Sequence, residues 1–206
     1  MGQYFRPIVL KKNWKLAKQP VKASVLCYDF NNGAKLMEHS YVGNKFVNKV
    51  MQILANQYYG YHFVWCGDYA DEVENSRGES VDLYDKAGDF IDREVEDFFT
   101  DLPREEKYTQ AYNDLCDTFV EDYVEYKYLI NLSKKVYVVM EKNNPDEWQV
   151  HPLPLFTCNS NGRGGGDYRL DDERVGSWAF DRIAVSNDDE AIKGLKKVDG
   201  YFEMDL

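Results

Sequence analysis

Sulfur and imidazole chemistry is sparse in this sequence. The 206 residues include three histidines and four cysteines, and neither set has the C-x-x-C or H-x-x-x-H spacing that predicts a zinc or redox site. No apolar run approaches the roughly 18 residues that span a bilayer, and lysines replace the apolar core of a secretion signal near the N-terminus. Dispersed cysteines favour buried, reduced thiols; they are Cys27, Cys66, Cys116 and Cys158. The sequence therefore predicts a cytoplasmic protein with no membrane attachment and no cofactor.

Charge is abundant but unevenly distributed. Residues 1–50 hold nine basic and two acidic side chains, whereas residues 68–125 hold twenty acidic and five basic ones, within a net charge of −11. So dense an acidic stretch repels phosphates, which disfavours direct nucleic-acid binding. The simplest interpretation is a solvated helical surface. The alternative is an acidic mimic of nucleic acid that inhibits a basic partner.

Apolar residues repeat at helical spacing in three segments. The first begins near Lys45, after the start signal Gly43-Asn44, and ends before Gly60. The other two lie on either side of Pro103, within residues 84–125, and predict an antiparallel helical hairpin. Stretches rich in β-branched and aromatic residues predict strands at Tyr4–Leu10, Ser24–Tyr28, Tyr61–Trp65, Ile130–Leu132, Val136–Met140 and Arg182–Val185.

Two parts of the chain share a pattern at an offset near 121 residues. The matched blocks are Tyr4, Ile8 and Leu10 with Tyr126, Ile130 and Leu132; Lys35-Leu36 and Ser40 with Leu155-Phe156 and Ser160; and Phe63–Trp65 with Ile183–Val185. The pattern predicts an α+β fold of two diverged β-rich repeats with the helical hairpin inserted between them. The predicted units are residues 1–75, 76–125 and 126–206, or all three as one compact domain.

A glycine-rich segment in the second repeat is a candidate anion site. Gly164, Gly165 and Gly166 allow close approach of backbone N–H groups to an anion, and Arg163 adds a charge-assisted hydrogen bond. The spacing matches neither a P-loop nor a dinucleotide fingerprint. A plain surface loop remains the alternative.

Acidic residues follow the last predicted strand of each repeat and are candidate metal ligands. Asp68 and Asp71 come after the first such strand, and Asp188 and Asp189 after the second. If the repeats pack about a twofold axis so that these clusters converge, the carboxylates can hold Mg²⁺ or Ca²⁺. The alternative is that they are turn and helix-cap residues.

Five short motifs resemble a family of small proteins encoded by bacteriophages and prophage-bearing bacteria. They are Met1–Phe5 for M-G-x-Y-Y, Gly33–Glu38 for G-x-K-L-x-E, Gly67–Asp71 for G-D-Y-A-D, Asn161–Asp167 for N-G-R-G-G-G-D, and Gly176–Ile183 for G-S-W-A-G-D-R-I. Phe180 stands where the last motif has glycine. The resemblance implies a phage or mobile-element origin in a bacterial host, and it implies no activity.

These patterns favour a non-enzymatic binding protein whose partner is a host protein or a small anionic ligand. His39 lies between Glu38 and Ser40, but neighbouring side chains on a strand point to opposite faces, so adjacency does not build a catalytic triad. A metal-dependent nuclease or phosphoesterase that uses the Asp clusters is the enzymatic alternative.

Overall fold

The computed structural model describes residues 3–10, 24–25, 35–74, 78–87, 123–140, 149–160 and 172–202. It is a mixed helix-and-strand protein whose core is dominated by a sheet. The strands are β1 (Phe5–Leu10), β2 (Ser24–Val25), β3 (Tyr61–Gly67), β4 (Val73–Glu74), β5 (Ser80–Val81), β6 (Tyr128–Asn131), β7 (Val136–Val139), β8 (Cys158–Asn159), β9 (Arg182–Ser186) and β10 (Lys196–Lys197). The helices are α1 (Leu36–His39), α2 (Lys45–Ala55) and α3 (Pro152–Thr157), with a 3₁₀ turn at Asp189–Ile192.

Eight strands form one sheet in the order β10-β7-β6-β9-β3-β1-β2. The remaining strand of the eight, β8, lies parallel to the second half of β3, and β9 is antiparallel to its first half. Strands from both predicted repeats therefore belong to the same sheet. β4 and β5 form a separate two-stranded ribbon.

The two halves of the sheet share the order of their three inner strands, and the pairs β1–β3 and β6–β9 have the same register. β3 and β9 are antiparallel neighbours at the centre, and each is followed outward by an antiparallel strand, β1 or β6, and then by β2 or β7. In one half Arg6 pairs with Cys66, and in the other Tyr128 pairs with Ser186. These pairs are related by the offsets of 122 and 120 that align the two parts of the sequence. The central pair His62–Arg182 relates each half to the other.

Alternating side chains divide the core between the two faces of the sheet. On one face, Phe63, Trp65, Ile183 and Val185 pack beneath the helices in the largest cluster of buried residues. The opposite face carries two smaller clusters, one around Val64. The second of these is centred on Tyr128, Ile130 and Ala184. Burial on both faces explains why β1 is buried along its whole length.

The sequence determines the limits of α2 locally. The Asn44 side chain accepts a hydrogen bond from the Val47 N–H at 3.0 Å and caps the first turn. The inward positions Val47, Val50 and Leu54 are fully buried. Gly60 (φ +71°) then makes the turn into β3, in a conformation that favours glycine. The predicted helix is confirmed, although it ends at Ala55 rather than just before Gly60.

The predicted helical hairpin lies largely outside the described residues. Residues 83–87 are helical, and the Asp82 carboxylate caps this turn by accepting from the Asp85 N–H at 3.0 Å. No helix among the described ranges is long and apolar enough to cross a membrane.

Candidate functional site

The two carboxylate clusters do not meet. Because β3 and β9 are antiparallel, Asp68 and Asp71 leave one end of the sheet and Asp188 and Asp189 leave the other. Counting outward from the central pair, the clusters lie roughly 40 Å apart at the rise of an extended strand. The arrangement on which the metal alternative depended is therefore absent from the described residues, since it would have required β3 and β9 to run in the same direction. In the parts of the chain that the structure describes, no group of three His, Cys, Asp or Glu side chains is arranged to hold a metal ion.

The side chains of each cluster instead make structural contacts with neighbouring parts of the fold. The Asp68 carboxylate accepts a hydrogen bond from the Tyr4 N–H at 3.1 Å, and partial burial raises its pKa. Asp188 caps the 3₁₀ turn by accepting from the Glu190 N–H at 2.9 Å. The Lys127 ammonium lies 2.7 Å from the Asp189 carboxylate, and this hydrogen bond lowers the pKa of Asp189. Asp188 thus has the cap role that the sequence offered as the alternative, whereas Asp68 and Asp189 join segments that are distant in the sequence.

The predicted anion site lies outside the described residues. Arg163, Gly164, Gly165 and Gly166 all fall within residues 161–171, so that site remains a prediction.

His39 is a core residue. Its ring stacks on Trp65 with centroids 5.2 Å apart and meets Phe46 edge-on at 5.5 Å. Neither ring nitrogen has a hydrogen-bond partner among the residues that the structure describes. Burial lowers the pKa of His39 to about 4, although the nearby Lys35 carbonyl opposes the shift. The ring is therefore neutral at pH 7, and no acid orients it for catalysis.

Two of the four cysteines lie in described parts of the chain, and both are buried free thiols. Burial raises the pKa of Cys66 and of Cys158 to about 12. A nucleophilic cysteine needs a low thiol pKa. These two are therefore structural, as the sequence predicted.

A cavity of about 620 Å³ lies between the start of α2, the segment before β6 and the start of α3. Its volume is in the range of small-molecule sites. The lining residues are Val42, Gly43, Met51, Tyr123, Glu125, Tyr126, Lys127, Met140, His151 and Asn187. We call it the tyrosine cavity. A smaller cavity of about 200 Å³ adjoins it and shares Val42, Met140 and His151.

Two asparagine side chains fix one wall of the tyrosine cavity, the segment 124–127. The Asn48 amide donates to the Val124 carbonyl at 2.7 Å, and its oxygen accepts from the Val124 N–H at 3.1 Å. In the same way, Asn187 donates to the Glu125 carbonyl at 2.8 Å and accepts from the Lys127 N–H at 2.7 Å. Each amide thus imitates a neighbouring strand. The wall is held at both ends before any ligand arrives.

His151 supplies a buried polar group at this cavity. It caps α3, and its Nδ1 accepts a hydrogen bond from the Leu153 N–H at 3.1 Å. Because Nδ1 is the acceptor, the neutral ring carries its proton on Nε2. Complete burial lowers the pKa of His151 to about 3. Its Nε2 has no partner among the described residues, and it is not one of the fully enclosed polar atoms. The His151 ring lines both cavities, and we take its Nε2–H to be the donor that it can offer there.

The phenols of the cavity stay protonated near neutral pH. Desolvation raises the pKa of both Tyr123 and Tyr126. Tyr126 packs against the main core, whereas Tyr123 is 46% exposed at the mouth. The cavity thus combines two aromatic rings, two thioethers and neutral hydrogen-bond donors.

Comparison with protein-family models, curated proteins and solved structures finds no match to this chain. The geometry of the site therefore carries the functional assignment.

Sequence patterns did not reveal this cavity, because its walls come from five separate segments. Two local signals were present. Asn48 interrupts the apolar stripe of α2, and His151 immediately precedes Pro152, the first residue of α3. A polar residue on a buried face needs a partner, so Asn48 pointed to a contact outside its own helix.

Proposed function

We propose that this protein is a non-enzymatic binding protein that takes a small ligand in the tyrosine cavity. The observation that carries the proposal is the preorganised cavity itself, with a volume suited to a small molecule and a wall fixed by two asparagine clamps. Rigid walls reduce the entropy lost on binding. A ligand enclosed there gains both apolar contact and directed hydrogen bonds.

The chemistry of the side chains supports binding over catalysis. His151 uses Nδ1 as a helix cap and is neutral, so it is a weak general base at pH 7. Burial raises the pKa of the two described thiols to about 12, so neither is a nucleophilic thiolate near pH 7. A metal-dependent nuclease or phosphoesterase built on both carboxylate clusters loses its geometric support, because the clusters lie at opposite ends of the sheet.

The same proposal includes two further points: the protein arose by duplication of a β-rich unit, and it originates from a phage or another mobile element. Its support is the shared strand order and register of the two halves, which follows the sequence offsets residue by residue. Duplicated units often keep their pairing long after their sequences diverge. Both halves line the cavity: Val42, Gly43 and Met51 belong to the first, and Tyr126, Met140 and His151 to the second.

A thermal-shift screen of small metabolites tests the proposal, with two tryptophan variants as a matched pair. Met140 lines both cavities, so Met140→Trp fills space that a ligand needs. Met37 is 45% exposed, so Met37→Trp is the control. A ligand at 100 times its Kd stabilises the fold by about 2.7 kcal/mol, or several degrees in Tm. We expect hits that stabilise the parent and Met37→Trp but not Met140→Trp.

Two results would overturn the proposal. One is a library without any hit. The other is a set of hits that stabilise all three proteins equally, which would place binding elsewhere. A host protein as partner, the other class that the sequence favoured, predicts the first result together with capture of a protein that Met140→Trp leaves unaffected.

A further inference from the structure

We propose that the buried part of the ligand is an uncharged, planar heteroaromatic ring whose acceptor atom receives the Nε2–H of His151. This inference rests on the proposed function, because it assigns a ligand class to the tyrosine cavity. Three features of the described residues support it. The tautomer of His151 is fixed, the charged groups at the cavity already interact with other groups of the protein, and the lining includes aromatic and thioether side chains.

The tautomer of His151 decides which ligand group fits beside it. Nδ1 is occupied by the Leu153 N–H, so the ring offers a donor and no acceptor to the cavities. A ligand that covers this donor removes its access to water and has to supply an acceptor in its place, because an unsatisfied donor costs free energy. A ring nitrogen or carbonyl oxygen is such an acceptor, whereas a second donor would be repelled.

The charged side chains at the cavity are already engaged. The Lys127 ammonium is paired with the Asp189 carboxylate at 2.7 Å and lies over the Tyr128 ring, 4.8 Å from its centroid. Glu125 likewise takes part in an interaction with another group of the protein. A charged group buried against His151 would lose its hydration without gaining a counterion, which is costly. The enclosed part of the ligand is therefore uncharged, and a charged substituent belongs at the mouth near Tyr123.

The lining favours a flat ring over a branched aliphatic group. Met51 is 4% exposed, and Met140 packs partly buried against the same core. Thioether sulfurs make favourable contacts with aromatic rings, and Tyr126 adds an aromatic surface with a preference for edge or offset stacking. A volume of about 620 Å³ accommodates a fused bicyclic ring with a substituent.

Isoquinoline and naphthalene are a suitable probe pair, because they have nearly the same shape and differ in one ring nitrogen. Their dissociation constants are measured by ligand-observed NMR titration at pH 7.5, where isoquinoline is neutral. We expect isoquinoline to bind about tenfold more tightly, the usual worth of one hydrogen bond to an otherwise unmatched donor. The side-chain Nε2 resonance of His151 should shift with isoquinoline and not with naphthalene.

His151→Asn is the informative variant. Asparagine is a good helix cap and can still accept from the Leu153 N–H, but it removes the Nε2–H. The isoquinoline preference should fall to about one, whereas Tyr126→Phe, which keeps His151, should retain it. Equal binding of both probes to the parent, absence of binding by either one, or an undiminished preference in His151→Asn would each overturn the inference. If metabolite hits still depend on Met140, those results leave the proposed function standing; if they do not, the proposed function fails by itself.

Discussion

Acidification should weaken the fold through its two described buried histidines. His39 and His151 are neutral in the folded protein, with pKa values near 4 and 3, whereas an unfolded histidine titrates near 6.5. Between these values the unfolded chain binds protons that the folded chain does not. Stability therefore rises with pH in this window. It is fully present above about pH 6.5 and is lost as the pH falls towards 4.

The size of the effect follows from the pKa values. Each pH unit below 6.5 costs about 1.4 kcal/mol for every histidine that stays neutral in the fold. Lowering the pH from 7.5 to 5.0 should therefore remove about 2 kcal/mol for His151 and a similar amount for His39. A loss of about 4 kcal/mol is a large fraction of the 5–15 kcal/mol by which domains are usually stable.

Urea denaturation at the two pH values measures this loss, and His151→Asn isolates one contribution. The asparagine keeps the cap on the Leu153 N–H but cannot titrate. All other groups, including the many carboxylates, remain in both proteins and cancel in the comparison. We expect the variant to lose about 2 kcal/mol less than the parent. Equal losses would mean that His151 is accessible to protons in the folded state, which would refute its burial.

Three other perturbations have definite expected outcomes. Asn48→Ala removes both clamp bonds to Val124 and leaves its half-buried backbone groups without these partners, which should cost about 2 kcal/mol in urea denaturation; a cost below about 0.5 kcal/mol would show that the clamp does not form. Lys135 has φ +57°, so Lys135→Gly should be about 1 kcal/mol more stable than Lys135→Ala; equal melting temperatures would contradict that backbone. Millimolar Mg²⁺ or Ca²⁺ should leave Tm unchanged, and a rise that is lost in Asp68→Asn or Asp188→Asn would restore a metal site.

The structure confirms α2 and finds a strand in each of the six predicted stretches, namely β1, β2, β3, β6, β7 and β9. α2 has an apolar stripe and a cap within eleven residues, and β1 and β3 are rich in apolar and aromatic residues. α3 was missed because its six residues include Pro152 and Pro154, which usually argue against a helix. Both prolines lie in the first turn, where backbone N–H groups have no intrahelical acceptor and their loss costs little. β8 and β10, with two residues each, are too short to show any period.

The sequence does not determine the relative direction of β3 and β9. The offset between the repeats predicts which residues correspond, but not that the two central strands are antiparallel, and this antiparallel arrangement separates the Asp clusters.

Phe180 is a position where the sequence shows a signal whose cause only the structure reveals. It replaces a glycine of the motif that the chain resembles and has φ +67°, where glycine is favoured. Its carbonyl accepts a hydrogen bond from Nδ1 of His62 at 2.7 Å, so the strained residue lies beside the centre of the sheet.

Helix packing across the centre of the sheet has a consequence for how the protein can be divided. α2 belongs to the first half but packs on β9, and α3 belongs to the second half but packs on β3. α2 also reaches the central strand of its own half, because Phe46 meets Trp65 edge-on. Two polypeptides separated between Ala87 and Tyr123 would therefore each lack one of the helices that cover their central strand, and would regain that cover on meeting. Co-expressed fragments should therefore reconstitute the sheet as a heterodimer, and neither fragment should remain monomeric and soluble by itself.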